Sequence, residues 1–131
     1  MLDAALLLGR ILIALMFLSS GWAALSDVEG TAGYFAGLGM PFPTLVTIGT
    51  GIFEIGAGVL LVVGYQARLV AAALAAFSIV ASVLGHYGQG EGAMAFWHMQ
   101  MLLKDVAVAG GLIAFAVFGA GRLAVDARLR S

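Results

Sequence analysis

Cysteine is absent from the 131-residue sequence, and its absence excludes several kinds of redox site. Dithiol exchange, thiolate zinc sites, cysteine-ligated iron–sulfur clusters and disulfide scaffolds all require cysteine side chains. Neither histidine stands in a metal-ligand spacing such as HxxxH or HxxEH, so we predict no metal site. Any redox chemistry in this chain must therefore use a bound cofactor.

Charged side chains are also scarce. Only 10% of the residues are Asp, Glu, Lys or Arg, whereas an ordinary soluble domain has about 25%. The six basic residues nearly balance the seven acidic ones, which leaves no basic surface for a nucleic-acid partner. Because 63% of the residues are hydrophobic, we expect an integral membrane protein surrounded by the lipid bilayer.

Four apolar stretches come close to the roughly 20 residues that a helix needs to cross the hydrocarbon core. They predict an all-α fold, a membrane four-helix bundle that forms a single transmembrane domain over residues 1–131. The predicted helices cover about residues 5–25, 45–63, 67–85 and 100–120. Asp3 and Arg10 are atypical of a cleaved signal peptide, so we expect the first stretch to remain as a helix.

The basic residues predict the orientation of the bundle, because cytoplasmic flanks of membrane helices carry an excess of Lys and Arg. Four crossings put both termini on one side. The basic residues on that side are Arg10, Arg68, Arg122, Arg128 and Arg130. The opposite loops contain Asp27, Glu29 and Glu91. We therefore expect both termini in the cytoplasm.

The outer loop over residues 26–43 is too apolar to be freely solvated. It contains the sequence GTAGYFAGLGMPFP, with aromatic side chains at Tyr34 and Phe35. We expect a short amphipathic turn or helix that lies in the membrane interface and is ended by Pro41 and Pro43.

Glu54 is the midpoint of the second apolar stretch, which makes it a candidate site residue. An ionised carboxylate at the bilayer centre costs about 2.5 to 3.5 kcal/mol, so it must be paired, protonated or in a water-filled cavity. Arg10 lies about 6 Å away in depth by the helical rise, within reach of its side chain. One interpretation is an ion pair between Arg10 and Glu54 that fixes helix register. The other is that both bind a polar group of a cofactor or substrate, or relay protons.

A second polar cluster is predicted at the outer end of the bundle. His86 ends the third helix, His98 precedes the fourth, and Lys104 and Asp105 follow in the fourth. His98 and Asp105 are seven residues apart, which places them on one face if that helix begins early enough. The cofactor is not identified by the sequence, and a quinone head group hydrogen-bonded by His86 or Lys104 is the candidate that these residues favour.

The chain resembles the DoxX-like membrane proteins over nearly its whole length. The segments that carry the resemblance are GRILIALMFLSSGWAAL, GTAGYFAGLGMPFP, FEIGAGVLLVVGYQAR, GHYG, LLKDVAVAGG and GRLAVDARL. The resemblance implies four membrane helices in a bacterial inner membrane and an association with oxidoreductases. One branch is named for a small subunit of a thiosulfate to quinone oxidoreductase. Arg10, Glu54, His86 and Lys104 match polar positions that recur in such sequences, whereas Asp105 stands where Asn is usual.

The leading functional hypothesis is an accessory inner-membrane subunit linked to quinone or thiol-related redox chemistry, with Arg10, Glu54, His86 and Lys104 as cofactor-binding residues. Two alternatives remain open: a small proton-coupled transporter and a non-catalytic assembly factor. Small residues at four-residue spacing, such as Ala72 with Ala76, predict close helix packing within the bundle or against a second copy. We therefore expect the partner to be a second copy or another membrane subunit.

Overall fold

The computed structural model describes residues 1–131 and contains helices and connecting turns, with no strand. In chain order the helices are α1 (Leu2–Ser26), α2 (Val28–Gly37), α3 (Pro43–Val63), α4 (Ala67–His86), α5 (Ala93–Phe118) and α6 (Val125–Arg128). By length and composition α1, α3, α4 and α5 are long and apolar enough to cross a membrane. The predicted all-α fold with four membrane helices is confirmed. The side on which the termini lie stays a prediction.

The fifth helix begins earlier than expected. The sequence AMAFWHMQ contains no proline or glycine, so α5 starts at Ala93 rather than near residue 100. As a consequence, Glu54 in α3 and Lys104 in α5 each lie eleven residues past the first residue of their helix. Since both helices begin at the same end of the bundle, the two residues lie at a similar depth.

Two helix pairs make up the bundle: α1 packs along α3, and α4 packs along α5. The first pair approaches closely because glycines face each other. A Cβ atom added to Gly21 would lie 2.7 Å from the carbonyl oxygen of Gly51 and 3.0 Å from Cβ of Glu54. Small residues at a crossing let two membrane helices pack backbone to backbone. This contact fixes Glu54 beside α1.

The second pair is joined by small residues and by hydroxyl groups. Ala71, Ala75 and Ala109 are buried in the core. Ser78 of α4 donates to the carbonyl oxygen of Asp105 in α5 at 3.1 Å. Of the small residues at four-residue spacing, Gly111 is half-buried and lies against Ile13 of α1. The others are exposed in the single chain: Ala72, Ala76, Ala107, Gly110 and Ala114. These exposed residues do not pack within the bundle, and their packing against a second copy stays a prediction.

The outer loop contains a true helix, α2, which packs on α3. Asp27 caps its first turn by accepting a hydrogen bond from the Gly30 N–H at 2.9 Å. The expectation that Pro41 and Pro43 end this element is wrong, because α2 already ends at Gly37 and Pro43 is the first residue of α3. Proline suits that position, where a helix needs no N–H donor.

Arg10 holds together the end of the bundle that carries both termini, here called the termini end. Its side chain is fully buried, and its guanidinium group donates to the carbonyl oxygens of Leu61, Val62 and Leu123. The carbonyl groups of Leu61 and Val62 belong to the last turn of α3. Carbonyl groups in the last turn of a helix have no N–H partner within the helix. Arg10 therefore does not pair with Glu54. It lies opposite a turn of α3 about 10 Å further along that helix.

The C-terminal segment crosses the same end of the bundle. The Asp126 carboxylate accepts the N–H groups of Gln66 and Ala67, both at 2.8 Å, and so caps the start of α4. The Arg122 N–H donates to the Asp3 carboxylate at 2.8 Å. With the Arg10 contacts, these bonds tie the first helix, the turn between α3 and α4, and the chain end into one closed structure.

Replacing Arg10 by Leu should destabilise the protein by on the order of 3 kcal/mol, because buried carbonyl groups lose a charged donor. The measurement is thermal unfolding in a mild detergent. Arg122→Leu is the matched control, since its side chain is exposed and its recorded hydrogen bond uses the backbone N–H. Equal stability of the Arg10 variant and the wild type would show that these bonds do not hold the termini end together.

Candidate functional site

A cavity of about 540 Å³ lies in the half of the bundle opposite the termini end, between the two helix pairs and beneath α2. We call it the outer cavity, after the predicted orientation of the bundle. Helices α1 to α5 all contribute residues to its wall. The lining is mainly apolar, with Met16, Phe17, Phe35, Val46 and Phe77 among its side chains. A volume of this size, largely apolar with a few polar groups, is typical of a small-molecule site.

Glu54 lies on the α3 wall of the cavity and is only 8% exposed. No lysine, arginine or histidine forms an ion pair with its carboxyl group. The Ser20 hydroxyl of α1 lies beside it in the cavity as a hydrogen-bonding group. A carboxyl group that has no ion-pair partner and borders a cavity is a position where a ligand or water can bind.

Lys104 and Asp105 reach the same cavity from α5. The Lys104 ammonium nitrogen is 3.2 Å from a carboxylate oxygen of Asp105, and the two side chains are 49% and 15% exposed. Asp105, which stands where the resemblance makes Asn usual, thus forms an ion pair with Lys104. An ammonium group has three donors, so Lys104 keeps donors free for a ligand while paired.

His86 lines the cavity from the end of α4 and contacts His98 of α5. Their Nδ1 atoms are 2.9 Å apart, so one imidazole donates and the other accepts. The sequence predicts Asp105 as the partner of His98, but in the structure the partner of His98 is His86. An Nδ1 proton shared in this way leaves the Nε2 atom of His86 available for a second hydrogen bond.

Four of the six predicted polar residues meet in this cavity: Glu54, His86, Lys104 and Asp105. The other two do not line it, since Arg10 is buried at the termini end and His98 lies behind His86. Sequence reasoning missed Ser20, because a serine in a membrane helix is normally explained by a hydrogen bond to its own backbone. Ser20 directly precedes Gly21, which contacts Glu54.

Tyr34 of α2 forms part of the roof. Its hydroxyl donates to the carbonyl oxygen of Gly85 in α4 at 2.7 Å and so fastens α2 across the cavity. Burial raises the pKa of the Tyr34 phenol above its ordinary value of 10.0. The hydroxyl therefore remains a donor at neutral pH, and the stabilisation is lost only as the pH rises above about 10.

One side of the cavity is bounded by residues that also face outward. Val80 and Leu84 of α4 line it and are 57% and 51% exposed. Because exposed apolar side chains of a membrane helix contact lipid, this edge connects the cavity with the bilayer. An apolar tail could leave the cavity along it.

Comparison with known proteins gives one family match. The sequence model of the family described as DoxX matches residues 5–87, which covers α1 to α4 and therefore Arg10, Glu54 and His86. Lys104 and Asp105 lie beyond the matched residues.

Two relatives from Escherichia coli (strain K12) are similar along nearly their whole length. Inner membrane protein YphA is 30% identical over 130 residues, covering 94% of this chain and 89% of the relative. Inner membrane protein YqjF is 27% identical over 127 residues, covering 95% of this chain and 91% of the relative. No solved structure matches the chain.

Tyr34→Phe should loosen α2 without unfolding the bundle, because it removes the hydrogen bond to Gly85 alone. A loss of about 1 kcal/mol predicts roughly fivefold faster hydrogen exchange of the α2 amides, measured by mass spectrometry. Tyr87→Phe is the control, since the Tyr87 side chain is exposed and lies outside the cavity. Unchanged exchange in α2 would mean that Tyr34 does not fasten the roof.

Proposed function

Because the chain belongs to the DoxX family of inner-membrane proteins, we propose that it binds a quinone head group in its outer cavity, as an accessory subunit of a membrane oxidoreductase. The observation that carries this proposal is Glu54, a buried carboxyl group that faces the cavity without an ion-pair partner. A quinone supplies reversible transfer of two electrons and two protons between membrane proteins.

The donors and acceptors of the cavity suit both redox forms of such a ring. The oxidised ring accepts hydrogen bonds at its carbonyl oxygens, which Lys104, His86 and protonated Glu54 can donate. The reduced ring donates from its hydroxyl groups, which ionised Glu54 can accept. Glu54 therefore matches the ligand in either redox state, whereas a lysine ammonium group at position 54 could only donate.

The apolar wall supports the same class of ligand. Phe17, Phe35 and Phe77 line the cavity beside the polar groups and offer contact surface for a flat ring. The edge at Val80 and Leu84 leads an apolar tail into the bilayer. A small hydrophilic substrate would gain nothing from either feature.

The accessory role follows from what the chain offers for electron transfer. It contains no cysteine and no group of three or more side chains that could hold a metal ion. A partner subunit would therefore exchange electrons with the ring, while this chain holds the ring in place. The ion pair of Lys104 with Asp105 and the contact of His86 with His98 restrict the movement of these two donors at the cavity wall.

A proton-coupled transporter would use the same Glu54 but needs access from both sides of the membrane. Transporters commonly open such access at broken helices, whereas α3 runs from Pro43 to Val63 without interruption. The Arg10 contacts also close the termini end. These features favour a binding protein over a transporter.

Glu54→Ala should weaken the binding of a short-chain ubiquinone analogue by about tenfold, equivalent to one lost hydrogen bond of about 1.4 kcal/mol. Glu54→Gln keeps a donor and an acceptor and should stay within about threefold of the wild type for the oxidised analogue. The measurement is calorimetric titration of the purified protein in mild detergent.

The matched control is Glu91→Ala, which removes an exposed carboxylate from the loop before α5. It should bind like the wild type. The proposal fails if the wild type does not bind the analogue, or if Glu54→Ala binds it with unchanged affinity.

A further inference from the structure

A second, smaller pocket of about 230 Å³ lies at the termini end, remote from the outer cavity. Its wall combines the turn between α3 and α4 with the C-terminal segment. Tyr65 and Gln66 come from the turn, Arg68 from the first turn of α4, and Leu129 and Arg130 from the chain end.

Two arginines of this pocket, Arg68 and Arg130, have no ion-pair partner in the protein. Neither Arg68 nor Arg130 has a carboxylate within 4.0 Å, because the ion pair of Lys104 with Asp105 is the one that the protein forms. Asp126 also borders the pocket, but both of its oxygens accept backbone N–H groups at the start of α4. Two guanidinium groups are therefore free to bind an anion with planar, paired donors.

The position of Arg68 is restricted by the end of α5. A Cβ atom added to Gly119 would lie 3.4 Å from Nε of Arg68, so the guanidinium group lies against the backbone there. Gly119 also has a φ of 87°, a backbone conformation that favours glycine. The side chain is thus directed across the end of the bundle, where it lines the pocket.

Apolar side chains stand around this basic pocket. Leu69 and Leu129 are 68% and 70% exposed, and Tyr65 is partly exposed beside them. Tyrosine is favoured at the level of lipid head groups, and exposed leucines suit the adjoining hydrocarbon. A free anion would use the arginines alone, whereas a lipid uses the whole surface.

We propose that this pocket binds the phosphate of an anionic phospholipid, with Arg68 and Arg130 as its ligands and Leu69 and Leu129 in contact with the acyl chains. Basic pockets next to membrane helices recognise anionic lipid head groups in this way. The site is independent of the outer cavity, so its failure would not affect the proposed quinone site.

The test is native mass spectrometry of the full chain in detergent, titrated with phosphatidylglycerol and, separately, with phosphatidylcholine. The wild type should prefer phosphatidylglycerol. The double variant Arg68→Gln, Arg130→Gln should bind it about tenfold more weakly. The control is the double variant Arg122→Gln, Arg128→Gln, which removes the same charge at the same end but outside the pocket. It should keep its affinity within about twofold.

Three results would overturn the proposal: no preference for phosphatidylglycerol, an equal loss in both double variants, or displacement of bound lipid by inorganic phosphate in molar excess. An equal loss in both double variants would indicate an effect of total charge rather than of this pocket. Displacement by inorganic phosphate would indicate an anion site that does not recognise the rest of the lipid. Unchanged melting temperatures in phosphatidylcholine would show that the variants are folded. The single variant Arg130→Gln, near the chain end, gives a second measure if the double variant is unstable.

Discussion

A polar group inside a bilayer has no water to replace a missing partner, and this constraint explains the contrast between the two buried charged residues of the chain. Two nitrogens of the Arg10 guanidinium group donate to three backbone carbonyl groups from the end of α3 and the C-terminal segment, and only its Nε has no partner. Glu54 is 8% exposed, beside the cavity, and the protein supplies it with a nearby hydroxyl and no counter-ion. The same fold therefore closes one end and leaves a carboxyl group without a counter-ion beside the cavity at the other.

The way in which the helices pair produces this difference. Glycine contacts draw α1 and α3 together, and alanines with Ser78 draw α4 and α5 together. The two pairs meet around Phe17, Leu61 and Leu112 in the core, while the outer half between them stays open and is covered by α2. A cavity between tightly packed pairs can hold a ligand without weakening the contacts that stabilise the bundle.

Much of this architecture can be predicted from hydropathy, because an apolar stretch of about 20 residues has few alternatives to a membrane helix. The choice of Glu54 as a candidate site residue follows from its depth. The prediction that Arg10 is its partner was wrong, because depth does not determine which way a side chain faces around the helix axis. The ring contact between His86 and His98 joins two helices across a loop, so helical periodicity does not predict it.

The position of α5 shows a second limit. Hydropathy predicts the apolar part of α5, but the helix already begins at Ala93. The polar and aromatic residues that follow Ala93 are equally compatible with a helix and with a loop. The earlier start of α5 brings Lys104 to the depth of Glu54. The two polar clusters that the sequence predicts separately therefore line one cavity. The role of Tyr34 was missed for a related reason, since an aromatic residue in an apolar loop is normally explained by the membrane interface.

The quinone content of the protein after gentle purification from its own membrane, measured by solvent extraction and mass spectrometry, tests the proposed ligand most directly. We expect the wild type to retain a stoichiometric quinone. A preparation that is folded and carries phospholipid but no quinone would contradict this expectation.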